Sequence, residues 1–167
     1  MNDMTQTTEK TGRKDLLAIG ENAPDFRVRA SDGDEVALAA FRRTKNVVLV
    51  FYPGDNTPVC TAQLCGFRDS WDALKSADTV VFGVNPASEA KHGAFVAKYR
   101  FPFPLLVDSG SEIAAQYGCR ALFGIVKRTV YVIDKAGRIL YAKRGNPAPS
   151  EILTMILALR NDAQAGA

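Results

Sequence analysis

The sequence predicts an α/β fold, a three-layer sandwich on a central mixed sheet. Three observations carry this. The valine-rich run "NVVLVFY" at 46–52 is apolar without interruption, as befits a central strand covered on both faces. Strand and helix patterns alternate from there to residue 118. The chain then ends on two strands and a helix, so the order is ββ, βαβαβα, ββα.

The stretch "APDFRVRASDGDEVALAAF" alternates apolar and polar residues around "SDGD", which predicts a β-hairpin turning at Asp32–Gly33. After strand 46–52 a Pro-Gly-Asp-Asn turn follows. Leu64, Phe67, Trp71 and Leu74, spaced by three and four, predict a helix over 60–75 with one buried face. "TVVFGVN" at 79–85 is the next strand. Residues 88–100 form a helix with Ser88 as cap. A short strand at 103–108 precedes a short helix at 111–118, which Gly118 ends. Strands at 129–134 and 138–145 flank "KAG" as an antiparallel hairpin. The last helix covers 149–162, with Pro149 or Ser150 at its start.

Composition narrows the function. The 167 residues are 47% hydrophobic and 23% charged, with a formal charge of +3, an ordinary globular balance. The basic residues fall in short pairs such as Arg42–Arg43 and Lys127–Arg128 and form no stripe, so nucleic acid is not an expected partner. No 18-residue apolar stretch predicts a membrane span. The polar start carries no secretory pattern, and a cytoplasmic setting is expected. The expected organisation is a flexible lead-in at 1–15, one domain at 16–162 and a frayed tail at 163–167.

Three cysteines are too few and too odd in number for a disulfide scaffold. Two of them lie close together in "FYPGDNTPVCTAQLCGFRDSW". Cys60 falls where the helix begins, where unpaired N–H groups and the helix dipole stabilise a thiolate. Thr57 stands three residues earlier, able to cap the helix or to point at the sulfur. Pro53 and Pro58 stiffen the turn. Cys65 follows five residues on. Ideal helix geometry rotates it by about 140° and separates the two Cα atoms by about 8.7 Å. A disulfide needs less than about 7 Å, so pairing requires the first turns to open. Chance burial of two core cysteines remains an alternative to a reactive pair. A zinc site fits poorly, because distant Cys119 and the single histidine, His92, do not complete a four-ligand pattern.

The segment "FYPGDNTPVCTAQLCGFRD" closely resembles the active-site segment of peroxiredoxins, and within them the bacterioferritin comigratory protein or peroxiredoxin Q group. "GENAPDF" at 20–26, "FPFPLLVDSGSEIAAQYG" at 101–118 and "KRTVYVIDKAGRI" at 127–139 extend the resemblance to about residues 20–160. It implies a thioredoxin-like sandwich with an N-terminal hairpin extension. It also implies a thiol-dependent peroxidase of the thioredoxin-dependent class, acting on hydrogen peroxide and organic hydroperoxides. The implied catalytic residues are Cys60 as peroxidatic cysteine, Cys65 as resolving cysteine by an intramolecular disulfide, Thr57, Arg128, and Pro53 as a shield over the pocket. Thioredoxin or a glutaredoxin-type dithiol is the implied reductant, no cofactor or metal is required, and a monomer or weak homodimer is expected. The rival functions are a protein disulfide oxidoreductase and a redox-sensing or chaperone-like interaction protein. Departures from the group are Cys119, expected as a small core or lid side chain with a third reactive thiol as the alternative, and Asn85–Pro86, expected at the rim of the site. Gln63 is expected on the helix surface or behind the reacting groups, and His92 as a partly exposed helix residue.

Overall fold

The computed structural model describes residues 12–165. Two short strands, β1 (Arg27–Arg29) and β2 (Glu35–Ala37), pair antiparallel as the expected hairpin. Gly33 supplies the positive φ of 86° that their turn requires. The main sheet has the order β5-β4-β3-β6-β7. Its strands are β3 (Asn46–Phe51), β4 (Thr79–Asn85), β5 (Leu105–Val107), β6 (Thr129–Ile133) and β7 (Ile139–Arg144). β3 runs parallel to β4, and β4 to β5, while β6 and β7 are antiparallel. The predicted mixed sheet with a closing hairpin is therefore present.

The central strand is buried on both faces, as its unbroken apolar run predicts. Val47, Leu49 and Phe51 enter one core, with Tyr117 and Tyr131. Val48, Val50 and Tyr52 enter the other, with Leu64, Phe67, Phe95 and Ile152. Each such large apolar side chain contributes about 1.5–3 kcal/mol by leaving water. The second core is roofed by α1 (Pro58–Asp69), α2 (Trp71–Ser76), α3 (Glu89–Tyr99) and α5 (Pro149–Ala165), which bury Phe67, Leu74, Phe95 and Ile156 respectively. The first is covered by α4 (Glu112–Gln116), through Ile113 and Ala114, and by the β1–β2 hairpin, through Val28 and Val36. Gly83 on β4 allows this packing. A Cβ there would stand 2.6 Å from Leu105 and 3.0 Å from the Tyr52 ring.

Three differences from the sequence expectation have local causes. The helix expected over 60–75 is two helices, because Ser70 leaves helical geometry (φ −97°, ψ 5°) and serves as the end of α1 and the start of α2. The side-chain period continues across this break, so periodicity alone hides it. The helix expected from 111 begins one residue later, since Ser111 is left-handed (φ 55°), and the Asp108 carboxylate accepts from the N–H groups of Ile113 and Ala114. The last helix continues to Ala165. Most of the expected lead-in lies outside the described residues, and from Arg13 the chain is tied down by an N–H bond to the Ala115 carbonyl.

Candidate active site

Thr57 is the residue before α1, with extended backbone (φ −79°, ψ 147°), and Pro58 opens the helix. Proline suits that position because its missing N–H has no helical partner to lose. Cys60 is therefore in the first turn, where backbone N–H groups are free of intrahelical bonds and the helix end is positive. Its side chain is fully buried.

Arg128 comes from a different part of the chain. It precedes β6, whose first residue, Thr129, pairs with Phe51 at the end of β3. That register brings the guanidinium to the start of α1. Nη2 donates to Cys60 Sγ at 3.2 Å, and Nη1 donates to Gln63 Oε1 at 2.8 Å. Gln63 lies one turn beyond Cys60, on the same helix face. It is buried, not a surface residue, and it holds one arm of the fork while the other meets the sulfur. Two sources of positive potential, the helix start and Arg128, thus act on one sulfur.

The Thr57 hydroxyl neither caps α1 nor bonds to the sulfur. It donates to the Gly54 carbonyl at 3.2 Å and closes the turn. Pro53 follows buried Tyr52 and is exposed. Cys65 is half-buried on α1, packed against the core beneath it, and Cys60, Cys65 and Cys119 are all free thiols. The unbroken helix keeps Cys60 and Cys65 apart, as its rise and rotation require.

Cys119 is a core side chain, as expected. Its thiol approaches the Tyr117 carbonyl at 3.4 Å, with Arg144 Nη1 at 3.8 Å. Burial pushes it up to about 11, against the smaller opposing pull of Thr129 and Arg144. It is a protonated, inert thiol at neutral pH. The folded state therefore disfavours its thiolate more than the unfolded state does. Stability from this site is present below the ordinary cysteine value and is lost as pH rises toward 11. Thermal unfolding of wild type and Cys119→Ala between pH 8 and 11 should show the steeper alkaline loss in wild type.

Two other expectations are corrected. His92 is fully buried, not partly exposed, because its ring faces Asp55 and the end of β4. Asn85 is not a rim residue. It is buried and bonded through both side-chain atoms, to the Tyr52 carbonyl and the Ala87 N–H. A single histidine on a mostly polar helix carries no sequence signal of such burial. The inward-facing partner, Asp55, lies in a turn that the sequence marks only as polar. Burial, then the nearby Asp55 carboxylate, raises the Tyr52 phenol far above its ordinary range, with a smaller contribution from Cys60.

Residues 19–142 match the AhpC/TSA family. Wheat (Triticum aestivum) chloroplastic peroxiredoxin Q is 44% identical over 127 residues, 75% of this chain and 58% of its own length. Peroxiredoxin Bcp of Bacillus subtilis is 39% identical over 131 residues, covering 74% of this chain and 83% of its own. The chain thus spans less than two thirds of the wheat protein, and most of the bacterial one. Among solved structures, the peroxidoxin BcpB of Mycobacterium tuberculosis superposes with a TM-score of 0.79 at 30% identity, over 85% of this chain and 97% of that one. Xanthomonas campestris peroxiredoxin Q gives 0.72 at 24% identity, over 81% and 90%, a likeness in fold. These likenesses bear out the thioredoxin-like sandwich expected from the sequence. The chain belongs to the AhpC/TSA family, in its peroxiredoxin Q and Bcp group.

Proposed function

We propose that this protein is a thiol-dependent peroxidase that reduces hydrogen peroxide and organic hydroperoxides at Cys60. The observation that carries this is the Arg128–Cys60 contact at the opening of a helix, with a second thiol five residues further on. The Cys60 thiolate attacks the terminal peroxide oxygen. The O–O bond breaks, an S–O bond forms, and the leaving oxygen takes a proton to become water or an alcohol. Arg128 has a fixed fork of donors, so it can hold both the sulfur and the peroxide while charge moves to the leaving oxygen. Thr57 and the N–H groups at the helix start complete the polar surround, and Pro53 shields the turn from excess water.

Cys65 then attacks the Cys60 sulfenic acid. The S–S bond forms, the S–O bond breaks, and hydroxide leaves as water. A thioredoxin-type or glutaredoxin-type dithiol reduces this disulfide by exchange and is itself oxidised. A cytoplasmic, reducing setting suits three free thiols. The test is mass spectrometry after one equivalent of hydrogen peroxide, together with a thioredoxin-coupled assay. The expected product is an internal Cys60–Cys65 bridge with turnover. Absence of any Cys60 oxidation would overturn the proposal.

Arg128→Lys keeps the charge and loses the fork. Stopped-flow oxidation of Cys60 should slow by roughly 10²-fold, the usual effect of removing a preorganised donor. Gln63→Ala, which leaves Arg128 free to swing, should slow the same step less.

A further inference from the structure

Between Tyr52 and Cys60 the chain runs over the surface, and Asp55 alone is buried. Its carboxylate closes a ring of four residues. Oδ1 accepts from the Tyr52 hydroxyl at 2.6 Å, and Oδ2 lies 2.7 Å from His92 Nδ1. His92 Nε2 lies 3.1 Å from the Asn85 carbonyl, and Asn85 Nδ2 donates to the Tyr52 carbonyl at 2.9 Å. The ring joins the end of β3, the active-site turn, α3 and the end of β4. A carbonyl only accepts, so Nε2 directs its hydrogen at Asn85 while Nδ1 faces the carboxylate. The side chains of Asp55 and His92 have no exposure to solvent. Such groups are buried only where they satisfy each other.

We propose that Asp55 and His92 are a positioning pair for the peroxide step, an inference that rests on Cys60 being the peroxidatic nucleophile. The turn has no other inward anchor. Gly54, next to Asp55, accepts the Thr57 hydroxyl, and Asn56 between them is held left-handed at φ 62°. A shift of Asp55 therefore moves Thr57 and the start of α1 together. Tyr52, the other partner of Asp55, shares the core that receives the Cys60 side chain. The ring lies on the strand side of the turn, so it stays closed as a fixed base while the first turn of α1 opens toward Cys65.

The test compares Asp55→Asn, His92→Leu, His92→Asn and Tyr52→Phe with wild type in the full-length protein. Stopped-flow measurements follow Cys60 oxidation and then disulfide closure, at a temperature where circular dichroism shows each variant folded. Asp55→Asn and His92→Leu should slow oxidation by about tenfold or more, as a sub-ångström to ångström misplacement does. Disulfide closure should not slow. His92→Asn keeps a donor directed at Asp55 and should recover most of the lost rate. Tyr52→Phe removes one contact and should slow oxidation by about threefold, a smaller share of the same misplacement. It serves as the deciding variant should the Asp55 and His92 variants fail to fold. Oxidation within about twofold of wild type in the folded variants, equal slowing of both steps, or no rescue by asparagine would overturn the inference. A wild-type protein in which peroxide leaves Cys60 untouched would instead refute the peroxidase proposal itself.

Discussion

Cys60→Ser is expected to abolish peroxide consumption, with a loss of roughly 10⁴-fold or more, as for removal of any essential nucleophile. Sulfur is intrinsically the stronger nucleophile, and a serine hydroxyl does not replace it. The substitution changes little else. The side chain stays small, and its oxygen still offers Arg128 an acceptor in place of the sulfur 3.2 Å away. The fold should persist, and circular dichroism with thermal unfolding checks this. Peroxide consumption measured in the same sample then isolates the chemistry. The other two thiols supply no substitute. Burial pushes the Cys119 thiol up to about 11, and among the described residues no arginine or lysine donates a hydrogen bond to Cys65. Activity surviving in Cys60→Ser would move the reacting sulfur elsewhere.

Cys65→Ser is expected to divide the cycle. The first oxidation of Cys60 should proceed at close to the wild-type rate, because the side-chain hydrogen bonds of Arg128 and Thr57 go to Gln63, Cys60 and Gly54. The internal disulfide should be absent, and thioredoxin-linked turnover should fall by about 10²-fold or more, with Cys60 passing to sulfinic acid at high peroxide. The proposed resolution within one helix requires the first turn to open at low cost. Thr57, Pro58 and Val59 are exposed, and the first turn of α1 is seated in the core by Cys60 alone. The firm apolar anchors, Leu64 and Phe67, come later. Opening the first turn therefore uncovers little apolar surface, the condition for inexpensive local unfolding. Peptide mapping after one equivalent of peroxide checks this. A dominant Cys60–Cys119 bridge, or turnover at the wild-type rate, would assign resolution to another thiol.

Much of this site was legible in the chain itself. The valine-rich central strand, the helix beginning near Cys60 and the terminal hairpin follow from periods of two and 3.6 and from turn residues, all local signals. Cys60, Cys65 and Thr57 lie in one short segment, so local pattern and resemblance reach them together. The role of Gln63 depends on β3–β6 register, which brings Arg128 across 65 residues of sequence to its side chain. No local pattern states such a register. The Asp55–His92 pair is less legible still, because 37 residues separate two polar groups that each look solvent-facing alone. Burial of a polar group is a property of the assembled layers. The break at Ser70 was hidden for the opposite reason, since both helices keep the same buried stripe.

That break limits how far a disturbance can travel. In a single rod from Pro58 to Ser76, loss of the leading turn would loosen every later hydrogen bond in one cooperative unit. Here α2 begins anew, and Leu74 and the Trp71–Phe103 ring contact hold it to the sheet independently. Under the proposed cycle, one end of the roof would be rebuilt each time while the remainder of that layer stays in register with the strands below.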